Sequence, residues 1–343
     1  WLETERRNLR TNMRLFTDST TFSFKKEGKV RRVHSDRIIG IARAFADDIL
    51  GSHKWRPGSF SGGASTSRTR RESHPAEKFT GKADITASAR SLWAHECFQF
   101  PRLSILDTRI VEGNILFTVP KSAEIDRVAC KEPDLNMYLQ KAVGDQIRQR
   151  LRKAGVDLND QSINQRLARE GSITGELATI DLSSASDSVT TQLACRILPA
   201  DLFDILMRLR SPTTLVDGVP HENQMLSSMG NGFTFEVESL IFYVIARAVA
   251  YIMGASGRIS VYGDDIICPS HTVPLLTNVL GFCGFIVNQQ KSFHTGPFRE
   301  SCGAHWLNGR CVKPFYIRRP VTALPDLILH LNAIRRWWSL DDD

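Results

Sequence analysis

The stretch from residue 227 to residue 269 constrains this chain more than any other. A glycine-bearing segment, Met229-Gly230-Asn231-Gly232, feeds residues 233–253, which are apolar almost all round when projected as a helix. A helix of that kind belongs inside a core. Glu238 and Arg247 interrupt its longest apolar run, so it is not a bilayer span. Two short apolar, β-branched runs follow, 259–262 and 266–269, separated by Gly263-Asp264-Asp265. That pattern predicts a hairpin with acids at its tip.

The remaining order is read from period and punctuation. Residues 38–50 have helical periodicity through Ile39, Ala42, Phe45 and Ile49. Residues 51–75 crowd glycine, serine and arginine together and read as a solvated, flexible loop, with a phosphate-touching arm as the sharper alternative. Residues 115–119 read as a strand ending at Pro120. Residues 135–154 place Leu135, Leu139, Val143, Ile147, Leu151 and Ala154 on one helical face, stopped by Gly155. Arg148, Arg152 and Lys153 lie off that stripe and read as a solubilising face. Residues 177–182 form a short strand carrying Asp181. The serine-rich run 183–188 then reads as the start of a helix reaching Leu198 and halting at Pro199. Asn308-Gly309, between 305–307 and 310–312, is the strongest hairpin signal in the chain. Residues 325–338 read as an amphipathic helix.

With 343 residues, the chain is long enough for two or three packed lobes. Hydrophobic residues are 42% and charged residues 24%, a globular balance that excludes wholesale disorder. Lysine and arginine number 44 against 37 acids, so a polyanion such as nucleic acid is the expected class of partner. Seven cysteines with no C-x-x-C pair argue against a disulfide framework and a zinc ribbon. No signal peptide or membrane span is evident. The chain opens at Trp1 without a methionine and closes on Asp341-Asp342-Asp343, so a fragment is one reading.

The chemistry is expected at the acids. Turns often carry Asp for local hydrogen bonding, but two adjacent acids repel by roughly 4 kcal/mol at about 4 Å and an effective dielectric of 20. Bringing Asp181 to the same place raises that cost, and divalent cations remove it. Oxygen donors without a cysteine or histidine pair favour Mg²⁺ over Zn²⁺. Three carboxylates holding two Mg²⁺ ions suit in-line phosphoryl transfer. Cationic side chains should then converge on the site. Lys121, Arg127, Lys131 and Lys291 are available, each otherwise an ordinary surface side chain.

Three stretches carry a resemblance. Ala178-Thr-Ile-Asp181-Leu-Ser-Ser-Ala-Ser-Asp187-Ser, Ser227-Ser-Met-Gly230-Asn231-Gly232-Phe-Thr-Phe-Glu236 and Val261-Tyr262-Gly263-Asp264-Asp265-Ile-Ile resemble motifs A, B and C of viral RNA-dependent RNA polymerases. Further stretches narrow it: Val119-Pro-Lys121, Asp157-Leu-Asn-Asp-Gln161 with Ile163-Asn-Gln-Arg166, and Gly296-Pro-Phe-Arg299-Glu-Ser-Cys-Gly303 with Pro314-Phe-Tyr-Ile-Arg318. Over about residues 98–335 the chain resembles the replicase β subunit of single-stranded RNA bacteriophages, the leviviruses.

The resemblance implies an α+β right-hand polymerase with fingers and an antiparallel-sheet palm flanked by helices, the thumb largely missing. Its implied divisions are an N-terminal region 1–97, fingers 98–175, palm 176–300 with motifs A to D, and 301–343 as palm-edge hairpin and the start of a truncated thumb. Asp181 and Asp264 would be the principal metal ligands and Asp265 the supporting one. Asp187, with Ser228, Gly230 and Asn231, would sense the ribose 2′-hydroxyl of the incoming nucleotide; for Asp187 a helix cap is the alternative. Gly230 and Gly232 would let backbone approach the template, or simply loosen a helix start. Lys121 and Arg127 would contact the triphosphate, and Lys291 would protonate departing pyrophosphate. The Asn308-Gly309 hairpin would be a primer-grip element or an ordinary sheet-edge hairpin. The implied activity is RNA-templated RNA synthesis from ribonucleoside triphosphates. The rivals are a reverse transcriptase-like polymerase and a catalytically incomplete RNA-binding fragment. Implied partners are template RNA, host elongation factors Tu and Ts and a ribosomal RNA-binding protein, in the cytoplasm of an infected bacterial host and away from any membrane.

Overall fold

The computed structural model describes residues 1–338 apart from 53, 122–124 and 318–319. Arg318, which closes the last motif, and the terminal Asp341-Asp342-Asp343 lie outside the described residues.

The apolar segment forms the helix Thr234–Met253, ended by Gly254 in the left-handed region. Leu240, Ile241, Phe242, Val244 and Val249 are all fully buried in it. The helices Ser35–Leu50, Asp134–Lys153 and Val273–Phe282 pack around it and supply Ile38, Ala42, Leu139, Val143, Ile147 and Leu276 to the same core. Both long helices match the sequence expectation within a few residues. Burying such side chains at about 25 cal/mol per Å² is what holds this assembly together.

Beside the central helix lies a three-stranded antiparallel sheet in which Asp265–Pro269 runs between Ser260–Tyr262 and Leu177–Ile180. Side chains alternate across it. Ile266, Cys268, Ala178 and Ile180 join the main core, whereas Ile267 and Leu177 pack against Leu167 and Ala168 of the helix Ser162–Thr174. Because Ile266 pairs with Ile180, the strand end that leads into Asp181 and the acid turn lie at one edge of the sheet. The turn Gly263-Asp264 has two central residues between the paired Tyr262 and Asp265. Gly263 has φ of +60°, and a Cβ there would sit 2.7 Å from the Phe235 ring. Glycine at the first central position is what a type II′ hairpin requires.

A second sheet orders Val219–Glu222, Thr213–Val216, Gly113–Pro120 and Asp126–Lys131. A third is the meander Phe298–Ser301, Ala304–Leu307 and Arg310–Cys311. The Asn308-Gly309 turn forms as expected, with φ of 51° and 81°. A further turn of the same kind at Cys302-Gly303, with φ of 49° and 67°, adds the strand that the sequence pattern did not reveal.

Several expectations are corrected. No helix starts at Ser183. Leu182–Ser183 pairs with Ile286–Val287, Ser186–Ser188 is one 3₁₀ turn, and the helix begins at Thr191. The serine hydroxyls compete with a helix for backbone groups; the Ser188 hydroxyl donates to Ser184 O at 2.7 Å. Thr190, not Asp187, caps the helix, its Oγ1 accepting from Leu193 N–H at 3.3 Å. Residues 51–75 are irregular and mostly exposed or half-buried, with parts of the segment tied to the body of the protein. The Ser65 and Ser67 hydroxyls both donate to the Asp134 carboxylate, Thr66 to Asp84, and the buried Lys78 ammonium to the Ser61 and Gly63 carbonyls. Arg148 is no mere solubilising group, since it pairs with Glu236 of the central helix. The sequence reading also missed the helix Leu2–Thr17, the hairpin Thr21–Lys26 with Lys29–His34, and the helix Ala200–Leu209. The C-terminal helix Leu324–Trp338 forms as expected, and its apolar side chains Leu327, Leu331, Ile334 and Trp338 are exposed. Among the described residues no helix is long and apolar enough to cross a membrane.

Candidate active site

The sheet edge opens into a cleft of about 380 Å³ whose walls include Asp181, Asp187, Asp264, Lys121, Arg127 and Lys291. Six of the residues singled out in the sequence, separated by up to 170 positions, thus share one cavity. Asp181 leaves its strand with its carboxylate held by Asn288, whose Nδ2 donates to Oδ2 at 2.8 Å. The Asn288 backbone N–H also donates to Asp181 O at 2.9 Å, and Lys291 N–H donates to Asn288 O at 3.1 Å. Burial raises the Asp181 pKa and the Asp264 carboxylate adds to it, against the Asn288 bond and the Lys291 charge. Asp264 stands exposed at the tip of the turn.

Asp265 follows the strand alternation to the other side. Its oxygens accept from Cys302 N–H at 3.1 Å and from the Ser301 hydroxyl at 3.1 Å, which ties the acid hairpin to the neighbouring meander. Burial, with Asp264 beside it, pushes its pKa to about 6. The expected trio is therefore arranged as two carboxylates on the cleft and one behind it. Among the described residues, no group of three His, Cys, Asp or Glu side chains is poised to hold a metal ion. Asp181 and Asp264 still have the donor chemistry of a hard-cation site: carboxylate oxygens, with the Asp264 charge raising the cost of ionising Asp181.

Asp187 lines the cleft from the 3₁₀ turn, and burial pushes its pKa to about 6, with Glu5 adding to the rise. Ser228, Gly230 and Asn231 stand back from the wall, which their neighbour Met229 reaches. The Ser228 hydroxyl accepts from Asn114 at 3.2 Å, and Asn231 Oδ1 accepts from Phe233 N–H at 3.0 Å. Gly230 has φ of +109°, and a Cβ there would lie 2.2 Å from Cys130 O. The close approach that needs a glycine here is therefore to the strand Asp126–Lys131. Lys131 lies over the Phe117 ring, 5.5 Å from its centroid, rather than on the cleft. The Asn308-Gly309 turn packs on the helix Ser162–Thr174, with Gly309 N–H donating to Ser172 at 2.9 Å.

Sequence reasoning passed over Asn288 and Glu238. Asn288 gave no signal beyond lying three residues before Lys291. Glu238 was visible as a charge within an apolar helix. It is 4% exposed, and burial pushes its pKa to about 8, partly offset by a hydrogen bond with Ser186.

Two carboxylates at the edge of an antiparallel sheet, faced by two lysines and an arginine, make a mixed helix-and-sheet protein with a cleft suited to phosphate-bearing ligands. The chain belongs to the RNA replicase beta-chain family, whose model matches residues 1–342. It is 49% identical over 287 residues to the RNA-directed RNA polymerase beta chain of Escherichia phage MS2, covering 81% of this chain and 53% of that one. To that of Enterobacteria phage GA it is 46% identical over 316 residues, covering 88% and 59%. To the RNA-directed RNA polymerase subunit beta of Escherichia virus Qbeta it is 43% identical over 334 residues, covering 96% and 56%. The chain thus spans a little over half the length of these relatives. Among solved structures it aligns with a telomerase from Candida albicans at a TM-score of 0.40 and 12% identity, covering 64% of this chain and 48% of that one, too distant for any inference.

Proposed function

We propose that this chain carries the catalytic cleft of an RNA-directed RNA polymerase that copies RNA from ribonucleoside triphosphates. The observation that carries the reading is the meeting of Asp181 and Asp264 with Lys121, Arg127 and Lys291 in one cleft, on a chain of the replicase beta family. Residues 98–175 would act as fingers, 176–300 as palm and 301–343 as the palm edge leading to a thumb, with 1–97 preceding them.

Asp181 and Asp264 would hold Mg²⁺, with Asp265 fixing the turn from behind. When bound, Mg²⁺ supplies an activated 3′-hydroxyl and charge neutralisation at the phosphates. The chain's own groups do the rest. Lys121 and Arg127 would draw in and orient the triphosphate. Lys291 would deliver a proton to the departing pyrophosphate. Asp187 would accept from the ribose 2′-hydroxyl. Asn288 would keep the Asp181 oxygens in place while linking them to the Lys291 turn. As a beta chain it would work within a multisubunit complex, with host elongation factors Tu and Ts and a ribosomal RNA-binding protein as the expected company, in the cytoplasm of an infected bacterium.

Asp264→Asn tests the reading. It should lower nucleotide incorporation at least a thousandfold and weaken Mg²⁺-dependent ATP binding, yet leave RNA affinity within about threefold. Equal loss of RNA binding and incorporation favours an RNA-binding module instead, and preferred use of deoxynucleotides favours a reverse transcriptase.

A further inference from the structure

The N-terminal helix Leu2–Thr17 belongs to none of the polymerase-like motifs, yet it bears on the cleft. Trp1 and Thr4 lie on the cleft wall. Below them, Glu5 is 1% exposed and its carboxylate accepts from Gln224 N–H at 2.6 Å, Met225 N–H at 3.0 Å and Asn8 Nδ2 at 2.8 Å. His221 Nε2 lies 3.2 Å from it. Asn8, also 1% exposed, donates through Nδ2 to the carbonyl of Asp187 itself at 2.7 Å. Arg7 donates to the Ser188 hydroxyl at 2.9 Å. One turn further on, Asn12 accepts from Gln192 N–H at 2.9 Å and donates to Gln224 O at 3.0 Å.

These partners fall on two segments, 187–192 and 221–225. The two are joined through Leu226 N–H to Val189 O at 2.7 Å and Thr191 N–H to Gln224 O at 3.2 Å. Asp187 opens the first segment and Met229 lies a few residues after the second, and both line the cleft. Asp187 sits in a single 3₁₀ turn, where no helix or sheet ladder fixes its height. The side chain of Asn8 holds the Asp187 backbone carbonyl while Met229 N–H holds its carboxylate, and Glu5 fixes Asn8.

We propose that Glu5 and Asn8 are positioning residues that set Asp187 against the nucleotide sugar, so that the N-terminal helix governs which sugar the cleft accepts. The proposal rests on the nucleotide-binding reading above. The Asn8 bond holds the backbone of the Asp187 turn from outside it, so the carboxylate shifts when that bond is lost, and sugar discrimination depends on placing an acceptor within hydrogen-bond reach of the 2′-hydroxyl. Asn12 anchors the same helix without touching the Asp187 turn.

The test measures binding of ATP and of dATP, each with Mg²⁺, to the full chain and to Asn8→Ala, Asn12→Ala and Asp187→Ala, together with hydrogen exchange of amides 183–189. Asn8→Ala should reduce the ATP-over-dATP preference at least fivefold, towards the Asp187→Ala value, and speed exchange in 183–189. Asn12→Ala should lower the melting temperature comparably and keep the preference within twofold. If Asp187→Ala abolishes the preference while Asn8→Ala keeps it, the inference is overturned and the polymerase reading stands. If Asp187→Ala leaves the preference intact, or the parent chain has none, the ribose-sensing reading fails and the inference fails with it. Unchanged exchange at 183–189 in Asn8→Ala overturns the brace on its own.

Discussion

On one side of the cleft, Asp181 and Asp264 stand at the ends of strands whose backbones pair Ile266 with Ile180 and Val261 with Ile266, backed by a helix buried all round. On the other side, Asp187 and Met229 belong to irregular segments held by Glu5, Asn8 and Asn12 of the N-terminal helix. The first wall is built mainly from backbone ladders and apolar packing spread over many residues, to which Asn288 and the Asp265 carboxylate add polar ties. The second depends on a few side-chain bonds, each donor or acceptor costing about 1–3 kcal/mol if left buried and unpaired. Under the proposed function, such an asymmetry would hold the reacting acids rigidly while leaving the sugar-facing wall adjustable.

The largest effect expected comes from Glu238, which lies under the acid turn and reaches across to Ser186. The folded chain holds its proton up to about pH 8, against 4.5 ordinarily, so the folded state binds that proton more tightly than the unfolded one. The contribution of Glu238 to stability is then fully present below about pH 4.5 and is lost as pH rises towards 8. Glu238→Gln keeps the shape and removes the loss. It should match the parent near pH 5 and exceed it by roughly 3 kcal/mol at pH 9, measured by urea unfolding at both pH values. A parallel pH dependence in parent and variant would show that Glu238 is not the proton holder between the walls.

Next, Gly263→Ala strikes the ladder wall alone. Its Cβ meets the Phe235 ring at a left-handed φ, so a loss of about 2 kcal/mol is expected, with Mg²⁺-dependent ATP binding weakened as well. The smallest effect is expected on the facing wall, where Thr190→Ala removes one helix cap. It should cost about 1 kcal/mol in chemical denaturation and leave Mg²⁺-dependent binding unchanged. Were the Thr190 variant to cost more than the Gly263 variant, the contrast between a rigid and an adjustable wall would be reversed.

Much of the ladder wall was legible beforehand. The Gly263-Asp264 and Asn308-Gly309 turns, the strand before Asp181 and the long helices are each specified by side chains a few positions apart, because period and turn chemistry are local. Lys121, Arg127 and Lys291 were nameable from the resemblance. The facing wall was not legible. The serine run 183–188 looks like a helix start; its own hydroxyls, the pairing of 182–183 with 286–287 and the bonds from distant Asn8 and Arg7 together keep it a turn. The resemblance set Asp264 apart from Asp265 as principal and supporting acid. Strand alternation turns Asp265 away from the cleft, and the Ser301–Cys302 turn behind the sheet takes up its oxygens, a partner no local pattern announced.

The sequence by itself determined which segments must be buried, where the chain turns, and which acids and bases are available for phosphate chemistry. Tertiary structure alone decided what takes up the Asp265 oxygens in holding the sheet to its neighbour, and that the first seventeen residues help build the site. The physical reason is range. Hydrophobic period and turn geometry are set by near neighbours in the chain, whereas a buried carboxylate or amide finds its partner wherever folding leaves an unpaired backbone group.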